Sequence, residues 1–328
     1  AAPGLDNPWD TVVSHDGTSV YVAGDVDGEA GGNVAVFDRD VTTGELSQGR
    51  CLRDAQAALA GCTTTALALS GAFAIAISGD DRSVYVAANG DHAVTHLRRA
   101  ADGDLTDLGC IEDTGGSVGC AVKTQGLNQV AFVAVAADDD QVLASSVGDN
   151  AVTVLNRGGT GGLTATSCIS DIDEGTTGCA TRTEGLNGAF ALAISPNARN
   201  VYVAGGSDDA LVMLKRRVGR PVTTVTVARR QQVGKLKASF SCESRCAAVV
   251  TGAVTAKSKR AKKTFALVLR RYTLLLPDQV ARPVLTVKKV ATLKRMLRQG
   301  ASATLTLVVR TTNDGGTTMK TIKIALRS

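Results

Sequence analysis

The chain is poor in large side chains. Aromatic residues make up only 3% of its 328 residues, with one Trp, four Tyr and six Phe. That is too few for the stacking surface that reads single-stranded nucleic acid, and no specific nucleic-acid partner is expected. Long apolar runs are absent as well: the Ala/Leu/Thr-rich stretch 55–78 is broken by Gly, Cys and a triple Thr. No segment approaches the roughly 18 residues a spanning helix needs, so no transmembrane segment is expected. There are only three His, and neither G-x-S-x-G nor H-E-x-x-H occurs. Acid is nearly missing from one third of the chain. Residues 218–328 hold 3 Asp/Glu against 23 Lys/Arg, whereas residues 1–217 hold 28 against 13. A shift of that size marks a domain boundary near residue 218 and predicts different partners for the two halves.

What is present is mostly repeat. Hydrophobic residues are 44% and charged residues 20%, a globular balance. The segments Ser19–Ala23, Ser83–Ala87, Gln141–Ser145 and Asn200–Ala204 recur at intervals of 64, 58 and 59 residues. Ahead of each lies an alternating stretch (Trp9/Thr11/Val13, Phe73/Ile75/Ile77, Ala131/Val133/Val135, Phe190/Leu192/Ile194) and then a polar turn. Behind each lies a third apolar stretch ending in Arg39, Arg99, Arg157 or Arg216. In the first three copies a Gly turn then leads to a fourth stretch ending at a cysteine. Period-2 segments of this length between Gly/Asp/Asn turns are strands. Four strands per unit at constant spacing describe a β-propeller, with expected blades at 9–68, 69–127, 128–186 and 187–227. The last strand of the fourth blade is open: Val222–Val227 lacks the cysteine, and suits equally the first strand of the next domain.

Cys51/Cys62, Cys110/Cys120 and Cys168/Cys179 keep the repeat register. Their spacing does not converge on a metal site, so each pair is expected to staple a fourth strand to the loop after it. Cys242 and Cys246, four apart, are expected to form the last disulfide. Disulfides imply an oxidising compartment, and a secreted or cell-surface protein is expected. The start at Ala1-Ala2-Pro3-Gly4, without Met, reads as a mature form or a piece of a longer chain.

The motifs SPNARNVYVA and SGDDRSVYVA, with CIxD…GC, resemble the blades of secreted bacterial propellers of the lactonase-like family. The resemblance covers roughly residues 1–217. It implies the propeller fold, seven blades in the typical member, and hydrolysis in the central channel; none of the family's catalytic residues can be placed on a matching position here.

Beyond the repeats, about six strand-like segments, a short helical ATLKRMLRQ and a hairpin around Asn313-Asp314-Gly315-Gly316 suggest a basic immunoglobulin-like β-sandwich over 228–328. The expected class is all-β: propeller repeats over 1–220, then the sandwich.

Several residues invite a chemical role. His92 and His96 are four apart on a strand, roughly 13 Å, too far to share an ion; His96 falls on a core face, and His15 in a solvated turn. The acidic groups Asp25/Asp27/Glu29, Asp80/Asp81, Asp138/Asp139/Asp140 and Asp208/Asp209 fit turn chemistry. No cofactor is expected from them, with Ca²⁺ in an acidic loop the one exception considered. Asp91, Asp149 and Asp208, in equivalent loops, share one rim and mark the place for an unknown ligand or protein. The repeated arginines are expected to pair with a neighbouring blade's Asp. Lys257, Lys259, Arg260, Lys262 and Lys263 form a basic turn suited to an anionic cell-envelope polymer. Two functions follow. The leading expectation is a non-catalytic binding or scaffold protein with a propeller platform and an envelope-contacting sandwich. The alternative is a lactonase-like hydrolase acting in the propeller channel.

Overall fold

The computed structural model describes all residues except 1–3, 6, 26–30, 58–60, 217–222, 228–230, 233–235, 243–245, 260, 276–279, 314–315 and 328. Asp27, Glu29 and Arg260 therefore lie outside the described residues. The chain is nearly all-β with one short helix, and divides into two compact units, Ala1–Arg216 and Arg217–Ser328. No helix among the described residues is long and apolar enough to cross a membrane.

Unit one contains four sheets. The first runs β1 (Pro8–Val13), β2 (Ser19–Asp25), β3 (Gly32–Arg39), β4 (Leu46–Asp54) and β5 (Thr64–Ala66). The second holds β6 (Ala72–Ile77), β7 (Ser83–Ala88), β8 (Ala93–Arg99), β9 (Leu105–Asp113) and β10 (Val122–Thr124). The third repeats it with β11 (Val130–Val135), β12 (Gln141–Ser146), β13 (Ala151–Arg157), β14 (Leu163–Asp171) and β15 (Thr181–Thr183). The fourth has three strands: β16 (Ala189–Ile194), β17 (Asn200–Gly205) and β18 (Ala210–Lys215). The expected four strands per unit thus become five in three sheets. The extra strand is three residues long and runs parallel to the fourth. Cys51–Cys62, Cys110–Cys120 and Cys168–Cys179 tie each fourth strand to the loop that leads into the fifth, as expected from their register.

Alternation along each strand sends one set of side chains toward the next sheet and the other set toward the previous one. Tyr21, Val34, Val36 and Leu52 of sheet one pack on Ile75, Ile77, Val84, Val86 and Leu97 of sheet two. Tyr85, Val94 and Ile111 meet Val130, Val133, Val142 and Leu155 of sheet three, and Leu143 and Val152 meet Leu192, Val201 and Val203 of sheet four. The far face of sheet four is uncovered. Tyr202 is 38% exposed where its counterparts Tyr21 and Tyr85 are fully buried, and Leu211 and Met213 are 74% and 51% exposed.

Each junction is locked by one polar arrangement. Arg99 reaches back to Asp16 at 2.9 Å and donates through Nε to the Tyr21 hydroxyl, which donates to the Gly103 carbonyl. Arg157, Asp80, Tyr85 and Gly161 repeat it one sheet on. At the third junction Leu143 replaces the tyrosine, and Gln141 Oε1 takes the Nε hydrogen bond of Arg216, which pairs with Asp138 at 2.7 Å. Arg99, Arg157 and Arg216 thus hold sheets together as expected, whereas Arg39 donates to the Gly17 carbonyl of its own sheet. Gly161 shows how tight the joint is: its φ is +88°, and a Cβ there would lie 2.1 Å from Ser83 Oγ.

In unit two, β19 (Thr223–Val227) pairs with β21 (Ala238–Cys242), so this segment belongs here and not to the fourth repeat. β20 (Gln231–Gln232) edges a large sheet with β22 (Cys246–Lys257), β23 (Lys262–Ala266), β24 (Arg270–Leu275), β25 (Ser302–Asn313) and β26 (Gly316–Arg327). β25 and β26 form the expected hairpin, pairing from Asn313↔Gly316 to Ala303↔Leu326. Helix α1 (Val290–Arg298) places Leu293 and Leu297 in a core with Phe240, Val250, Val254, Phe265, Leu305 and Leu307. Cys242 and Cys246 are joined. Where an immunoglobulin-like sandwich is expected, the described residues give one large sheet, a two-stranded ladder and the helix around one core.

Candidate functional site

The first strand of every sheet carries a register shift at the same place: Pro8/Asp10, Ala72/Ala74, Val130/Phe132 and Ala189/Ala191. A bulge inserts one residue and re-aims its side chain. The inserted residues are Trp9, Phe73, Ala131 and Phe190. Trp9 stacks on Phe73 with ring centroids 4.3 Å apart, and Phe73 meets Phe190 edge-on at 6.0 Å. These rings come from sheets one, two and four, so they converge on the common centre of the stack. Trp9 and Phe190 remain about half exposed. Three of the chain's few aromatic residues therefore form an open apolar platform where the inner strands begin.

Around it run the rim loops. Asp91, Asp149 and Asp208 occupy equivalent positions, and each accepts the backbone N–H of the linker entering its own sheet: Ser70 at 2.8 Å, Asn128 at 3.1 Å and Asn187 at 3.0 Å. A second set from the preceding sheet, Asp54, Asp113 and Asp171, accepts the residue just before: Leu69, Leu127 and Leu186. Two carboxyl groups thus clamp two successive amides of every linker. Asp54, Asp113 and Asp171 escaped attention in the sequence, although the repeated terminal Asp of LRD, CIED and CISD was their signal.

The three clamps differ electrostatically. Burial, reinforced by the negative charges of Asp54 and Glu112, pushes Asp91 up to about 6 against the opposing Ser70 N–H. Asp149 is also raised, by burial and by Asp113. Asp171 goes the other way: burial is outweighed by the amides of Asp173, Glu174 and Leu186, and its pKa is lowered. Glu112 is wholly buried, accepts the amides of Val118 and Gly119, and pairs with Lys123 at 3.2 Å.

His92 follows Asp91 in a left-handed turn conformation (φ 55°) shared with Asn150 and Asp209 in the sister loops. Its Nδ1 accepts the Gln129 N–H at 3.0 Å, so in the neutral ring Nε2 carries the proton. Phe73 lies three residues beyond Ser70, which ties the Asp91–His92 loop to the aromatic platform through the chain. His96 does not join this site. It is buried in sheet two, opposite Tyr85 in register and stacked on it, with Nε2 3.1 Å from Ser83 Oγ. Burial, then Arg157, lowers it to about 4. His15 sits in its turn, with Nδ1 3.0 Å from Asp81. Among the described residues, no group of three or more His, Cys, Asp or Glu could hold a metal ion. The basic turn, with Lys257, Lys259, Lys262 and Lys263, lies in unit two.

No protein-family model matches the chain, and no functionally curated protein matches it. Among solved structures, it is similar to a candidate 6-phosphogluconolactonase of Bacteroides fragilis, with 12% identity, 98% of this chain and 85% of that one covered, and a TM-score of 0.46. It is similar to the periplasmic gluconolactonase of Pseudomonas aeruginosa, with 15% identity, 98% and 86% covered, and a TM-score of 0.43. A gluconolactonase of Xanthomonas campestris shares 16% identity over 66% and 58%, with a TM-score of 0.36. The expectation of a non-catalytic scaffold is corrected here: the solved structures that resemble the chain carry lactonase names. The likeness is one of fold, to propeller-type lactonases.

Proposed function

We propose that unit one is an exported, four-bladed propeller arc that hydrolyses a sugar-type lactone at its axial mouth, with unit two an appended β-sandwich module. The observation that carries this reading is Asp91: a carboxyl whose pKa burial pushes up to about 6, next to His92 and bonded to the amide of Ser70, three residues before Phe73 of the aromatic platform. A general base works best when its pKa lies close to the operating pH, and two neighbouring carboxylates in a partly buried site bring Asp91 there. Trp9, Phe73 and Phe190 offer the apolar surface on which a sugar ring's C–H face can rest.

In the proposed reaction, Asp91 as carboxylate takes a proton from water while the water oxygen bonds to the lactone carbonyl carbon. The carbonyl oxygen becomes an oxyanion, to which His92 Nε2–H donates a hydrogen bond. As the carbonyl re-forms, the ring C–O bond breaks and the leaving alkoxide takes the proton from Asp91. The product is the open hydroxy acid, and Asp91 returns to its starting charge.

Hydrolysis of δ-gluconolactone by the full chain, followed by acid release, tests this. The protein is expected to exceed the buffer rate. Asp91→Asn, which can still accept the Ser70 amide, is expected to lose roughly 10²–10⁴-fold with a melting temperature at neutral pH no lower than that of the wild type. Trp9→Leu is expected to raise KM with little change in kcat. A wild-type rate equal to buffer, or an Asp91→Asn rate equal to wild type, overturns the reading.

A further inference from the structure

Unit two holds a second site of different chemistry. A cleft of about 840 Å³ opens between the turn joining β22 to β23 and helix α1. Lys259, Lys262 and Lys263 line it from the turn, and Thr292, Arg295 and Gln299 from the helix. Four of these six side chains are cationic, and the lining includes no acid.

Neutralisation from within the unit is scarce. Glu243, Asp278 and Asp314 are the only acids of residues 218–328, against 23 Lys/Arg. Even if each of those three acids paired with a cation, twenty Lys/Arg of residues 218–328 would have no acid of the same unit to meet. The turn even breaks a local rule. Lys257 stands directly opposite Lys262 in the β22–β23 ladder. Like charges so placed disfavour pairing. Functional sites are where a chain breaks local rules of this kind.

The chemistry of the lining narrows that ligand. No aromatic side chain faces the cleft, so neither a base nor a sugar ring finds a stacking surface. Lysine ammonium groups act as compact point charges that tolerate many orientations of a tetrahedral anion. The volume exceeds what one such anion fills, and the cations are spread over two elements. We infer that this cleft binds a linear polyphosphate-type polyanion, a flexible strand of closely spaced phosphate groups, independently of any activity in unit one.

The test uses the full chain with inorganic polyphosphate as probe. Lys259→Gln/Lys262→Gln/Lys263→Gln removes three charges from the cleft. Arg271→Gln/Arg310→Gln/Lys320→Gln removes three from exposed strand positions joined through Val249 and Val309, eight residues or about 26 Å along β22. Binding is expected to weaken at least tenfold in the cleft variant and less than twofold in the other. The slope of log affinity against log salt should fall by roughly 2–3 in the cleft variant. Equal losses in both variants would mean that net charge alone binds the probe, and would overturn the site. Orthophosphate competing as well as the chain, at equal phosphate concentration, would overturn its polymeric ligand.

Discussion

The two units use charge in opposite ways. In unit one, cations are matched: Arg99, Arg157 and Arg216 each reach the preceding sheet's Asp, and the middle pair is almost sealed from water, with Arg157 and Asp80 exposed by 1% and 2%. In unit two, 3 acids stand against 23 Lys/Arg, and the core is the apolar face that β22 and β25 share with α1. Charge is a structural fastener in one unit and a surface left for solvent or ligand in the other.

The largest expected effect sharpens that contrast. Arg157→Ala strands Asp80 and the Tyr85 hydroxyl in a dry junction, and should cost about 3–5 kcal/mol. Arg99→Ala should cost about 1–3 kcal/mol, because Asp16 is 41% exposed and water can replace the arginine. Urea unfolding followed through Trp9, the sole tryptophan, reports unit one; equal losses would show that junction burial is not what counts. Disulfides come next. In the chain-entropy model, Cys110→Ser/Cys120→Ser removes a ten-residue closure worth about 3 kcal/mol, against about 2 for Cys242→Ser/Cys246→Ser. Differential scanning calorimetry should show the larger drop in unit one.

Acid should expose two groups of opposite sign within unit one. His96 is held neutral to about pH 4, so its contribution is present above the unfolded value of about 6.5 and is lost as pH falls through 4. Asp91 keeps its proton to about 6, so its contribution is present below the unfolded value of about 3.8 and is lost as pH rises through 6. His96→Val, the residue found at Val36 and Val154, should remove the first dependence, measured as ΔG of unfolding between pH 4 and 7. The smallest effect belongs to unit two: Arg271→Gln/Arg310→Gln/Lys320→Gln should leave its melting midpoint nearly unchanged, about 0.5 kcal/mol or less per site.

Much of this architecture was legible in the sequence because repetition writes each rule several times. The strand order within a sheet, the three stapling disulfides, the Arg–Asp junctions and the core placement of His96 all follow from aligned positions. The candidate site was less visible, for a geometrical reason. Simple alternation sets Trp9, Phe73 and Phe190 in phase with Thr11, Ile75 and Leu192, whereas the bulge takes them out of phase and turns them to the centre. Alignment of the repeats puts Asp91, Asp149 and Asp208 in equivalent loops, but the carboxyl groups that share their linkers, Asp54, Asp113 and Asp171, sit some forty residues upstream, on the preceding sheet. The fifth strand was hidden by its three-residue length. The uncovered face of sheet four shows only in exposure, since Tyr202 sits in the same motif as Tyr21 and Tyr85.

The most direct test of the account is the pH dependence of lactone hydrolysis by the full chain. The account predicts a rate that rises with pH as a single group with pKa near 6 loses its proton, and an inflection that disappears in Asp91→Asn. A wild-type profile with no inflection in that range, or one that survives in Asp91→Asn, would contradict it.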